Sequence, residues 1–81
     1  MKNFNKALPV NEDLLNFNFT QIFTGHGETY FVSVVDRNFA HFTFNMKKAE
    51  SGWEIVERPL VPAWILALED EISDAITINE I

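Results

Sequence analysis

The clearest pattern along the chain is an alternation of apolar and polar residues from position 15 to position 24. A period of two is typical of a strand with one buried face. Three further segments, 29–35, 39–46 and 53–58, are rich in the β-branched and aromatic residues that strands favour. The pattern therefore predicts four strands, and the region 15–58 as a whole is expected to form an antiparallel β-meander.

Short polar segments separate these strands. Gly25-His26-Gly27-Glu28 supplies two glycines for a hairpin loop, and Asp36-Arg37-Asn38 fits a three-residue loop that ends in a left-handed asparagine. Residues 47–52 end in Ser-Gly and predict a turn, while Pro59 ends the fourth strand because proline cannot donate to a ladder.

The segment from Ala63 to Thr77 predicts a helix, with Pro62 at its first position. At 100° per residue its apolar side chains fall within an arc of about 120°, and Leu66 is the one large apolar side chain outside it. The members of this arc are Trp64, Ile65, Leu68, Ile72, Ala75 and Ile76. The predicted fold class is α+β: a four-stranded antiparallel meander with one C-terminal helix packed on one face, ββββα in two layers.

Loop lengths also predict which residues share a face of the sheet, because register and face are linked by the period of two. Three pairings collect most aromatic residues on the face that receives the helix: Thr24 with Thr29, Val34 with Ala40 across a three-residue loop at 36–38, and Met46 with Trp53. A two-residue turn at Arg37-Asn38 would instead direct Phe31, Ser33 and Val35 of the second strand toward the core. That alternative places fewer apolar residues on the helix-covered face. The predicted helix-covered face consists of Phe17, Phe19, Phe23, Tyr30, Val32, Val34, Ala40, Phe42, Phe44, Met46, Trp53 and Ile55.

The opposite face mixes polar and apolar residues, and we call it the open face. Its predicted apolar row is Ile22, Phe31, Thr43 and Val56, with further apolar residues at one end. A contiguous apolar patch on a small acidic domain is typical of an interface. The interface candidates are Ile22, Phe31, Val35, Phe39, His41 and Val56.

Residues 1–14 decide whether this face is free. They read as an irregular arm with one helical turn at 11–15 capped by Asn11. The arm could bury Phe4, Leu8 and Val10 on the open face. Alternatively, a second copy or another protein covers that face, or a small ligand contacts it.

Composition bounds the remaining possibilities. The 81 residues (9.3 kDa) predict one domain, and a chain this short buries a thin core. The absence of cysteine excludes disulfides and thiolate chemistry, so aromatic packing or self-association is expected to supply stability. No signal-type or membrane-spanning run is present, and the expected location is cytoplasmic.

Charge bears on the choice of partner. The formal net charge is −6, and the six basic residues are scattered, which disfavours direct binding to nucleic acid. Five of the acids follow Pro59, where no Lys or Arg occurs, and the acidic helix face is represented by Glu69, Asp70 and Asp74. An acidic segment of this kind could bind a basic protein surface, although a solvent-exposed helix face has the same pattern.

The sequence contains no convincing catalytic set. His41 is predicted near Ser33, Thr20 and Arg58, yet no carboxylate stands on its row to orient it. His26 and Glu28 supply only two potential metal ligands, and two ligands do not make a site. No catalytic residue, metal site or cofactor is therefore assigned.

Three functions follow from these observations. The first is a non-enzymatic protein-interaction domain that forms a homodimer through the open face. The second is an acidic adaptor or inhibitor that docks its helix, with an exposed Leu66, on a basic protein. The third is a small-ligand-binding domain or small enzyme that uses the face around His41.

Overall fold

The computed structural model describes residues 3–25 and 27–80. It shows one antiparallel sheet, followed in the chain by helices. The strands lie side by side in chain order. The elements are β1 (Asn3–Val10), β2 (Asp13–Thr24), β3 (Gly27–Val35), β4 (His41–Ala49), β5 (Gly52–Ile55), a 3-10 turn (Arg58–Leu60), α1 (Ala63–Leu66) and α2 (Glu69–Glu80). The predicted α+β class is confirmed, but the sheet has five strands rather than four.

The additional strand is the segment predicted to be an irregular arm. Residues 3–10 pair with 13–20 along their whole length, and a two-residue turn at 11–12 replaces the predicted helical turn. Pro9 and the asparagines argued against a strand, but β1 is an edge strand. A proline is compatible with an edge when its missing N–H would have faced away from the sheet.

All three predicted registers are displaced by two residues. Thr24 pairs with Gly27 rather than with Thr29, Val34 with Phe42 rather than with Ala40, and Met46 with Ile55 rather than with Trp53. The β3–β4 loop accordingly spans five residues, 36–40, and the other two connections are two residues long. Because a shift of two preserves the side-chain alternation, every strand still presents the predicted face.

The core lies between the predicted face of the sheet and the helices. Its fully buried sheet residues include Phe17, Phe19, Tyr30 and Met46, and α2 contributes Ile72 and Ile76. Phe23 and Ala40 are exposed, contrary to the prediction. Phe23 lies beside Glu28 near the end of the β2–β3 hairpin, and Ala40 belongs to the β3–β4 loop.

The predicted helix over 63–77 is interrupted. Leu68 N–H donates to Ile65 O, three residues back, so the chain tightens between α1 and α2. Leu66, which the helical wheel placed outside the apolar stripe, is half-buried and packs against the core. The break alters the helical phase, so one continuous 100° wheel misplaces this side chain.

Helix α2 also covers the outer edge of β5. Val56 N–H donates to Asn45 O, so the backbone N–H groups of Trp53 and Ile55 face away from β4. Ser73 Oγ accepts the first and Glu69 Oε2 accepts the second, both at 2.9 Å. Side chains of one helix thus satisfy the donors of an otherwise open edge.

The C-terminal end of α2 is joined to the middle of the sheet through the only tyrosine of the chain. Tyr30 is fully buried, and its hydroxyl donates to Glu80 Oε2 at 3.2 Å. Burial, together with the charge and hydrogen bond of Glu80 and the charge of Glu28, raises the pKa of Tyr30 to about 12.

Candidate functional site

Residues 3–14, the described part of the N-terminal segment, do not cover the open face of the sheet. Because β1 pairs at the edge of the sheet, its even-numbered residues turn toward the helices and its odd-numbered residues turn toward the open face. Leu8 is buried in the core, and the Phe4 ring stacks on Phe19 with centroids 4.4 Å apart. The alternative in which the arm buries Phe4, Leu8 and Val10 against the open face is therefore wrong.

The register rearranges the predicted apolar row. One row of the open face now reads Asn3, Thr20, Phe31, Asn45 and Val56. Ile22 lies in the next row, opposite Thr29, so it neighbours Phe31 diagonally rather than directly. Thr43 pairs with Ser33 and leaves the apolar row. Ile22 on β2 and Phe31 on β3 are therefore still neighbours, but the predicted continuous apolar row across four strands is not present.

The apolar side chains of this face are accessible. Ile22, Phe31 and Val35 expose 36%, 37% and 38% of their surface, and Phe39, in the adjoining β3–β4 loop, exposes 82%. Val56 is half-buried. These residues form two ends separated by a polar row, since Asn5, Asn18, Ser33 and Thr43 lie between the Phe31 row and the Val35 row.

Phe39 projects from a loop that is held firmly. Asp36 Oδ1 accepts from Asn38 N–H and Ala40 N–H, each at 2.9 Å. In the backbone, Asp36 N–H donates to Ala40 O and Phe39 N–H donates to Asp36 O. Phe39 has a φ of 65°, the left-handed region predicted for Asn38. A bulky aromatic residue in this region is strained, so the loop presents Phe39 at a cost in free energy.

Leu60 is part of this face, although the sequence analysis did not select it. The 3-10 turn after β5 carries Leu60, 79% exposed, to the side of a hollow of about 210 Å³ whose lining includes Phe31, Asn45 and Val56. Leu14 was also missed; it is 72% exposed and, by strand parity, lies on the open face. The sequence signal that could have indicated them is an apolar residue next to a proline, as for Leu60, or close to a turn, as for Leu14.

His41 is not brought into a catalytic cluster. It is exposed and pairs with Val35 at the start of β4, while Arg58 donates to Glu69 Oε2 at 2.6 Å. The predicted convergence of His41 with Arg58 is therefore wrong. Four surface hollows, of about 140 to 720 Å³, have linings that do not include His41. The proposed neighbour of Glu28, His26, lies outside the described residues, and the described part of the chain contains no group of three potential metal ligands.

The acidic helix face divides into two parts. Asp70 and Asp74 are exposed, as predicted, but Glu69 is half-buried and holds both the β5 edge and Arg58. Burial alone would raise the pKa of Glu69, but the hydrogen bonds from Arg58 and the Ile55 N–H, with the charge of Arg58, lower that pKa below its usual range. Glu69 is thus a structural residue, which sequence reasoning could not distinguish from its neighbours.

None of the helices formed by residues 3–25 and 27–80 combines the length and apolar character that crossing a bilayer requires. Comparison with protein-family models, with curated proteins and with solved structures finds no significant match to this chain.

Proposed function

We propose that this chain is a non-enzymatic protein-interaction domain that self-associates through the open face of its sheet. The observation that carries the proposal is the set of accessible apolar side chains on that face, above all Phe31, together with the exposed Phe39 in the adjoining β3–β4 loop. Apolar residues grouped on one face, rather than scattered singly, are typical of protein interfaces.

The strain at Phe39 supports the same proposal. Asparagine and glycine adopt the left-handed backbone conformation at lower cost. The loop nevertheless places Phe39 in that conformation and leaves it 82% exposed. Burial of that ring by a second molecule would offset the strain, since a fully buried Phe contributes about 1.5 to 3 kcal/mol.

The dimensions of the face are adequate for a dimer. Five strands spaced about 4.8 Å apart and four rows of outward side chains about 6.8 Å apart span roughly 24 by 27 Å, or about 650 Å² in projection. A standard interface buries about 800 Å² per partner, and accessible area exceeds its projection.

Sedimentation equilibrium on wild type, Phe31→Asp and Phe23→Asp tests the proposal. Phe23 is the matched control because it is equally aromatic and more exposed, at 69%, yet its side chain is on the other side of the sheet. We expect Phe31→Asp to lower the average mass relative to both other proteins while it remains folded by circular dichroism, with a thermal midpoint that falls only as far as the lost association requires. Equal masses for all three proteins would contradict the proposal.

A further inference from the structure

The two edges of the sheet are treated differently by the rest of the chain. The outward N–H groups of β5 are satisfied by Ser73 and Glu69. Strand β1 forms the opposite edge, and the helices contribute no comparable cap to it within the described residues. An open edge is a template on which another strand can pair.

The backbone groups that β1 presents follow from the ladders. Val56 N–H donates to Asn45 O, and the alternation of hydrogen-bonded pairs across the four strand pairings then directs the backbone N–H and C=O groups of the even residues of β1 toward β2. The N–H and C=O groups of Asn3, Asn5 and Ala7 consequently face outward. Pro9 also faces outward but has no N–H to donate.

We infer that β1 pairs with β1 of a second copy, antiparallel about a two-fold axis at Asn5, to form one continuous ten-stranded sheet. In this register Asn5 lies opposite its own mate and Asn3 lies opposite Ala7. These three pairs exchange all their outward backbone groups. A shift that brings Pro9 opposite Asn3 would interrupt the ladder, so the proline disfavours that register, and centring on Asn5 pairs all three outward residues.

The side chains around the edge also suit a second copy. A two-fold axis normal to the sheet places the helices of both copies on the same side. There Phe4 and Ile78, which is 67% exposed, line a hollow of about 140 Å³ beside β1. Lys6 of each copy then lies opposite Phe4 of the other. Lys6 and Ile78 line the same hollow, and α2 carries Asp70, Glu71 and Asp74 besides the engaged Glu69 and Glu80, with no base in Glu69–Glu80. The exposed apolar side chains beside β1, and the opposite charges of Lys6 and α2 on the same side of the sheet, both favour a second copy as the partner.

This inference uses the edge of the sheet and is independent of the open-face dimer. It is tested in the Phe31→Asp background, in which the open-face contact is removed. We expect that variant to remain a dimer by sedimentation equilibrium. Adding Asn5→Pro should weaken the dimer about tenfold or more, because both central hydrogen bonds are lost. Adding Asn5→Ala, which retains the N–H, should leave association within about twofold.

A second measurement does not depend on how the variants fold. In wild type, the amides of Asn5 and Ala7 should exchange with deuterium more slowly as protein concentration rises, whereas the exchange rates of the Lys6 and Leu8 amides, which face β2, should not change. A monomeric Phe31→Asp protein, an undiminished Asn5→Pro dimer, or concentration-independent exchange at Asn5 and Ala7 would each overturn the inference. The open-face proposal fails separately, when Phe31→Asp and Phe23→Asp have equal masses.

Discussion

Replacing Gly52 with alanine is the sharpest test of how the helix closes the β5 edge. Gly52 begins β5 with a φ of 142°, and a Cβ atom there would lie 2.6 Å from Ser73 Oγ. That same oxygen accepts the Trp53 N–H. Backbone strain of this kind costs about 1 to 3 kcal/mol, and loss of the hydrogen bond costs about 0.5 to 1.5 kcal/mol. We therefore expect Gly52→Ala to lower the free energy of unfolding by about 2 to 4 kcal/mol.

Urea denaturation followed by circular dichroism, at one fixed protein concentration, measures this loss. A fall of 1 kcal/mol corresponds to about 4 to 8 °C in Tm for a domain of this size. Ser73→Ala removes the oxygen that alanine at position 52 would meet, so the double variant should lose less stability than the two single losses added together. A cost below about 0.5 kcal/mol for Gly52→Ala, or strictly additive losses, would refute the described approach of α2 to β5.

Three further predictions concern single side chains. The absorbance of Tyr30 at 295 nm should rise near pH 12 in the folded protein and near pH 10 in denaturant. Because the pKa of Tyr30 is raised by folding, the protonated hydroxyl stabilises the fold fully below pH 10, and this stabilisation is lost as pH increases through 12. Glu69→Gln should cost about 1 kcal/mol at pH 7, and because the pKa of Glu69 is lowered, the difference from wild type should vanish as pH falls through that folded-state pKa in urea titrations. Phe39→Asn alone should reduce the mass seen by sedimentation. In the Phe31→Asp background, where the open-face contact is already removed, it should relieve left-handed strain and stabilise the fold by about 1 kcal/mol in thermal melts; loss of stability there would contradict the strain argument.

The sequence carried enough information to assign the faces of the sheet but not the pairing of its strands. Side-chain alternation is a local property, so the buried set around Phe17, Tyr30 and Met46 was predictable. Register depends on loop geometry, and the loop at 36–40 is five residues long because Asp36 closes it with side-chain and backbone hydrogen bonds. All three registers were wrong by two residues, an error to which alternation is insensitive.

Neither strand β1 nor the different roles of Glu69 and Asp70 could be predicted from the local sequence, because both depend on where a segment lies in the assembled sheet. Pro9 excludes a central strand but not an edge strand, and only the assembled sheet shows which of the two applies. Glu69 and Asp70 are chemically alike in the sequence, but the position of the β5 edge makes one a hydrogen-bond acceptor for Ile55 and leaves the other in solvent.

The sequence by itself therefore determined an α+β domain, the face that receives the helix and the apolar character of the opposite face, since each depends on patterns within a few residues. Tertiary structure alone decided that residues 3–10 join the sheet instead of covering its open face, that Phe39 is held in a closed loop, and that α2 caps the β5 edge while no described residue caps the β1 edge in the same way. These features depend on backbone groups of distant segments meeting one another, and no local pattern encodes that meeting.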